Sequence, residues 1–308
     1  MVYALESAIF APMKINRNPI ILALGAVLLW STVGSAFSLS LRHLNPAQLL
    51  LLANLTAVLF LGITILIRNK STFLTSLSAK SLSYSAIMGF LNPFAYYLVL
   101  LKAYSMLPAQ EAVALNYIWP VVLVLLSIPV LKQKITALSI VSMLISFAGT
   151  VVIATNGRPW SMEFANPTGT FLALSSSIFW ALYWLMNMKD KRESLNKLFL
   201  NFSFGLIYIV VFAAFTGNLI IPSAAGALGA VYIGLFEMGV TFVIWLTALK
   251  YAQNTAKVSN LVFLSPFLSL LFISMIVGEK ILASTIVGLC LIIGGIILQQ
   301  YKQKQADL

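Results

Sequence analysis

The sequence predicts an all-α membrane protein of ten transmembrane helices, arranged as two inverted five-helix repeats with both termini on the cytoplasmic side. Three observations predict it. The chain has 308 residues, 60% of them hydrophobic and 9% charged, against about 25% charged in an ordinary soluble domain. Fifteen of its nineteen Lys and Arg fall in alternate loops and at the two ends, among them Arg68, Lys80, Lys132, Lys189, Lys250 and Lys302. Only Arg42, Lys102, Arg158 and Lys280 fall on the opposite side. That bias places both ends in the cytoplasm and requires an even number of spans. Finally, Leu22-Ala23-Leu24 and Trp30 recur as Leu172-Ala173-Leu174 and Trp180. Leu115, Pro120, Leu125, Lys134 and Gly149 recur likewise as Leu261, Pro266, Leu271, Lys280 and Gly295. Five spans per half is odd, so the halves must have opposite orientations, an architecture of many secondary transporters with substrate bound near the midplane.

The apolar segments run over 19–39, 46–67, 81–101, 108–131 and 137–154 in the first repeat (19–154). They continue over 168–187, 198–216, 227–249, 257–277 and 282–299 in the second repeat (168–299). Residues 1–18 form an N-terminal cytoplasmic segment and 300–308 a cytoplasmic tail. Met13-Lys14-Ile15-Asn16-Arg17 reads as a natural start, with residues 1–12 an extension ahead of it. No small-residue cleavage site follows the first run, so it is read as an uncleaved span.

Trp30, Gly34 and Ser38 share a face of the first span. The third span carries Gly89, Asn92 and Tyr96 at helical spacing, with Pro93 breaking the helix beside Asn92. In the fourth, Pro108 and Glu111 suit the first turn of a helix. Asn116 and Trp119 share its face, and Pro120, which cannot donate to the Asn116 carbonyl, predicts a kink there. This stretch is either a wall of a transport path or a kinked packing helix with a satisfied Asn. Ser142, Ser146 and Thr150 in the fifth span, and Ser284, Gly288, Gly294 and Gly295 in the tenth, allow close helix approach. These two spans are expected to form a scaffold or a homodimer contact.

In the sixth span Ser177, Trp180 and Trp184 line one face. Glu237 lies near the centre of the eighth, where an ionised side chain costs about 2.5–3.5 kcal/mol on insertion scales. Gly234, Thr241 and Trp245 follow it at helical spacing. Such a carboxylate serves a substrate amine or a proton, or is a protonated structural group bonded to a neighbouring helix. In the ninth, Pro266 repeats Pro120, and Ser259, Asn260 and Ser265 add polar groups. Lys102, Glu111 and Arg158 are read as solvated loop charges or an outer gate.

Other classes lose support. There is no Gly-rich phosphate loop, no His/carboxylate metal cluster and no nucleophile with a base partner, so no enzyme, cofactor or metal is expected. One Cys (Cys290) and one His (His43) build neither a disulfide framework nor a metal site. The net charge of +11 follows from the loop bias and implies no nucleic acid. The expected partners are the bilayer and a small-molecule substrate.

Gly278-Glu279-Lys280 at the end of the ninth span, with ten spans in five-plus-five halves, resembles the EamA family of the drug/metabolite transporter superfamily. Asn92-Pro93-Phe94-Ala95-Tyr96-Tyr97 and Leu107-Pro108-Ala109-Gln110-Glu111-Ala112 are similar words, and Asn116-Tyr117-Ile118-Trp119-Pro120 is similar to the fourth span of YddG-type aromatic amino-acid exporters. The first half departs from the pattern, with Lys132-Gln133-Lys134 where Gly-Glu-Lys would repeat. The resemblance implies a basket-like bundle in the bacterial inner membrane that exports amino acids or related metabolites. It also implies a cavity lined by Asn116, Tyr117 and Trp119. Together with the residue reading, the expected substrate site is Trp30, Asn92, Tyr96, Asn116, Tyr117, Trp119, Trp180, Glu237 and Thr241, with helix kinks at Pro93, Pro120 and Pro266. The alternatives are an exporter of nucleosides or drug-like compounds, or a non-transporting sensor or assembly protein on the same fold.

Overall fold

The computed structural model describes residues 18–68, 73, 77–131, 137–160, 164, 166–219, 222–252 and 258–306. The expected start at Met13, the 1–12 extension, Lys132-Gln133-Lys134 and Lys257 lie outside them. The described residues are helical, with no strand among them. In chain order the helices are α1 Pro19–Ser40, α2 Pro46–Arg68, α3 Ala79–Gly89, α4 Tyr96–Tyr104, α5 Ala109–Asn116, α6 Trp119–Leu131 and α7 Ala137–Ala154. There follow α8 Pro167–Lys189, α9 Ser194–Phe215, α10 Ala224–Phe236, α11 Val240–Tyr251, α12 Ser265–Phe272 and α13 Ala283–Ala306. Eight stretches are long and apolar enough to cross a membrane, with α3–α4, α5–α6 and α10–α11 each forming one interrupted stretch. The fifth and tenth expected spans appear as the shorter apolar helices Ile140–Ala154 and Ala283–Leu298.

The starts of the helices are written in their caps. The Asn18 side chain accepts from the Ile20 amide ahead of Pro19, and Asn166 accepts from the Gly169 amide ahead of Pro167. The first helix of each half therefore opens on the same Asn-Pro device, an N-cap followed by a proline whose missing N–H the first turn does not need. Asn45 and Gln48 cap α2 reciprocally, and Ser78 with Ser81 does so for α3.

The halves exchange helices. α1 packs against α10, α11 and α12 of the second half, while α8 packs against α4, α5 and α6 of the first. α2 lies against α9 and α10, and α9 in turn lies against α3. The largest pairing joins α7 to α13. Gly149, Gly288, Gly295 and Ser146 are spent on this seam: a Cβ on Gly149 would meet the Gly288 carbonyl at 2.5 Å, and one on Gly295 would meet Ser146 Oγ at 2.3 Å. Ser146 Oγ donates to the Ile292 carbonyl at 3.1 Å. Leu144, Phe147, Val287 and Ile297 point outward and exposed, as a lipid-facing surface would.

At the corner between α8 and α9, Arg192 pairs with Asp190 at 2.7 Å and reaches back to the Ser81 carbonyl and Ser85 Oγ of α3. Burial alone would raise the Asp190 pKa; the hydrogen bonds and charge of Arg192 outweigh it and hold the carboxyl below its usual range.

Gly288→Val tests the α7–α13 seam. Its added carbons collide with Ile153 and the Gly149 backbone, so the cost should be about 1–3 kcal/mol, read as a lower thermal midpoint in detergent. Gly294→Ala, which meets nothing within 4 Å, should leave the midpoint in place. Equal midpoints for both variants would contradict the close packing.

Candidate functional site

Four interrupted segments surround the middle of the bundle. In the third expected span, α3 ends at Gly89 and a wide turn over Phe90–Ala95 follows, in which Asn92 is extended (φ −150, ψ 119). In the eighth, α10 stops at Phe236 and α11 resumes at Val240, with Gly239 at φ −106 and ψ −90. The fourth is broken at Tyr117–Ile118, where Ile118 N bonds the Leu115 carbonyl and Val121 N the Ile118 carbonyl. The ninth begins as a tight helix over Asn260–Leu264 before α12. Thus the third and eighth spans, and the fourth and ninth, are interrupted at matching places. Pro120 sits in the first turn of α6, directly after the break at Tyr117–Ile118 and four residues beyond the Asn116 carbonyl to which it cannot donate. Pro266 likewise sits in the first turn of α12.

These interruptions enclose a cavity of about 400 Å³, within the usual range of small-molecule sites. Trp30, Tyr96, Asn116, Tyr117, Trp119, Trp180 and Glu237 all line it, together with Pro120. Tyr96 and Trp180 stack with ring centroids 4.5 Å apart. Trp30 lies 5.3 Å from Trp245 and 5.7 Å from Phe242. The Asn116 amide donates to Ser176 Oγ at 2.8 Å, and its oxygen accepts from the Tyr96 hydroxyl at 3.4 Å. The Glu237 carboxylate accepts from the Tyr97 hydroxyl at 2.8 Å and is 8% exposed. One carboxylate, one oriented amide and three serines (Ser259, Ser265 and Ser269) therefore line a space whose remaining walls are aromatic and aliphatic.

Asn92 and Thr241 do not join the wall. The face assigned to Asn92 assumed a continuous helix, and the extended backbone there turns its side chain away, toward Tyr183 and Asn201. Thr241 is fully buried, its hydroxyl donating across the break to the Phe236 carbonyl. Pro93 packs on Gly205, where a Cβ would come within 2.5 Å of its ring. Contributors missed by sequence reasoning include Phe37 and Tyr104, which line the cavity and pack edge to face at 5.2 Å, and Tyr97 and Ser176, which hold Glu237 and Asn116. The seven-residue spacing of Tyr97 and Tyr104, two helical turns, was the available signal. Among the described residues no cluster of His, Cys, Asp and Glu could hold a metal.

The two ends of the cavity differ. Toward the end that carries the start of α1 and the end of α8, the lining reaches Leu249 and the exposed Met188. At the opposite end the halves are clasped. Glu279 accepts from the Ala109 amide at 2.8 Å and the Gln110 amide at 3.2 Å. Its carboxylate thereby satisfies two orphan donors at the positive end of α5. Gln110 returns the contact, donating to the Lys280 carbonyl and accepting from Leu282 N and Thr285 Oγ1. Of the charges expected to gate this side, Lys102 and Arg158 are exposed and Glu111 is buried beside Glu279.

Glu279→Ala should loosen this clasp. Charge-assisted hydrogen bonds contribute about 1.5–3 kcal/mol each, so thiol labelling at Phe37→Cys by a membrane-impermeant reagent, in a Cys290→Ser background, should quicken by tenfold or more. Unchanged labelling would mean that the clasp does not close that end.

Residues 17–155 and 167–299 each match the EamA-like transporter family. An uncharacterized transporter of Clostridium kluyveri is 25% identical over 273 residues, 86% of this chain and 86% of its own length. In Bacillus subtilis, the uncharacterized transporter YxxF is 23% identical over 257 residues (83% and 81%), and the uncharacterized transporter YvbV is 23% identical over 222 residues (71% and 72%). A solved crystal structure of a protein superposes with a TM-score of 0.66 at 18% identity, covering 94% of this chain and 99% of that one, so the fold is shared. Two helical halves, each matched over nearly its whole length, place the chain in the EamA-like transporter family.

Proposed function

We propose that this protein exports small metabolites by alternating access, and that its substrates are amino acids, aromatic or otherwise amine-bearing. The observation that carries the reading is the composition of the cavity wall: five indoles and three phenols among aliphatic side chains, with Glu237 and Asn116 lining the same space. Trp30, Tyr96, Trp119 and Trp180 would pack on the apolar part of the substrate. Glu237 would hold its amine, or carry a proton if export draws on the gradient. Asn116, with its oxygen and nitrogen oriented by Tyr96 and Ser176, would take the remaining polar end.

The exchange of α1 and α8 between halves, and the matched interruptions, support ten spans in two inverted repeats that rock about the cavity. The basic residues at the end of α8 and in the flanking loops support cytoplasmic termini in a bacterial inner membrane. On that orientation the cavity opens to the cytoplasm at Met188 and is closed outside by the Glu279 clasp, the state from which an exporter loads.

Efflux from proteoliposomes of labelled amino acids tests the reading. Glu237→Gln and Asn116→Ala should each reduce efflux about 10–100-fold, the loss expected for a charge-assisted or buried hydrogen bond in the wall. Wild-type efflux in both variants at normal membrane insertion would remove these residues from the site. Failure of wild type to move any amino acid would redirect the search to other metabolites.

A further inference from the structure

A second group of polar side chains lies behind the cavity wall, and the transport cycle above does not use it. Asn92 from the interrupted third span, Tyr183 from α8 and Asn201 from α9 are 0%, 1% and 0% exposed. The Tyr183 hydroxyl lies near both amides, yet no pairing among them meets hydrogen-bond geometry. Among the described residues, both atoms of each amide and the hydroxyl are without a partner. Asn187 Oδ1, one turn beyond Tyr183 on α8, is likewise unpartnered. Just past it is the Asp190–Arg192 pair, with Lys197 Nζ on the Asn187 and Asp190 carbonyls. From the other direction, ring contacts run from Tyr183 through Trp180 and Tyr96 to Tyr97, whose hydroxyl bonds Glu237. Trp180 and Tyr96, stacked on each other, back onto Tyr183 and Tyr97 and separate this group from the cavity.

Buried polar atoms are almost always partnered by protein or ordered water. Two amides present as many donors as acceptors, so a cation would leave amide N–H groups facing it. Water, which donates and accepts, fits every atom, and a polar site with two to four partners is where buried water is kept.

We infer that Asn92, Tyr183 and Asn201 hold occluded water, and that this water passes protons between Glu237 and the Asp190–Arg192 corner by a route separate from the substrate cavity. This rests on the reading of Glu237 as a proton carrier. An incoming proton crosses the water to the Tyr97 oxygen while the existing Tyr97 hydrogen leaves for Glu237 Oε1. One O–H bond forms as another breaks, Tyr97 stays neutral and Glu237 becomes a neutral acid. The amides orient the water and exchange no protons. The titratable groups around Glu237 are Tyr96, Tyr97 and Tyr104 on α4 and Tyr117 in the fourth span; Asp190, Arg192 and Lys197 flank the far end.

Two measurements test this. In X-ray hydroxyl-radical footprinting of the intact protein, Tyr183 should label at a rate approaching that of the exposed Trp160, whereas Phe202, equally buried, should stay unlabelled; Asn201→Leu should cut the Tyr183 signal about tenfold. In proteoliposomes, Tyr183→Phe and Asn201→Leu should keep amino-acid counterflow at equal pH but lose about tenfold of the flux driven by a proton gradient, in line with an interrupted proton transfer. A Tyr183 as silent as Phe202 overturns the water, whatever the protein transports. Labelling together with undiminished gradient-driven flux in both variants overturns the proton route. Absence of wild-type counterflow would instead overturn amino-acid export and leave the footprint to decide the pocket.

Discussion

A bilayer interior offers no water to a backbone N–H or carbonyl, so every break in a helix there has to be covered by protein or face a wet cavity. The rest of this structure depends on how that constraint is met four times over. The turn at Asn92–Pro93, the gap at Glu237–Gly239, the break at Tyr117–Ile118 and the tight helix over Asn260–Leu264 converge on the middle of the bundle. Glu237 rides in its gap and Asn116 ends its helix, so the polar side chains of the site sit where the backbone is already irregular. The aromatic residues close the space around them.

What could be read from the residues, and what could not, follows from the same physics. Apolar runs are a local property, and the helices lie close to where those runs put them. Trp30, Tyr96, Asn116, Trp119, Trp180 and Glu237 were legible as wall residues because a polar or indole side chain deep in an apolar run has few other uses. Asn92 and Thr241 were misplaced because helical spacing carries no information across an interruption. Tyr97 and Ser176 escaped notice because their importance lies in a partner 140 and 60 residues away in sequence. The Glu279 motif was visible as a word, but its meeting with the start of α5 is tertiary.

The asymmetry between the ends has a simple electrostatic basis. At the closed end a carboxylate from one half lies on the amides at the N-terminus of a helix of the other, a contact favoured by hydrogen bonding and by the peptide dipoles together. At the other end the lining reaches Leu249 and Met188, and the cross-half bonds there, from Arg192 to Ser81 and Ser85 and from the Tyr84 hydroxyl to the Met186 carbonyl, are made by residues that do not line the cavity.

The crossing of α1 and α8 into opposite halves bears on biogenesis. Each half donates its first helix to the other, so neither half, on its own, has a filled core around its interrupted spans. The first half emerges from the ribosome with the gap that α8 will fill still empty, and the Asn92–Pro93 turn still missing α9, which covers it. The two EamA-like halves are repeats in sequence but not independent folding units: the molecule becomes a closed bundle only when the second half has been inserted beside the first.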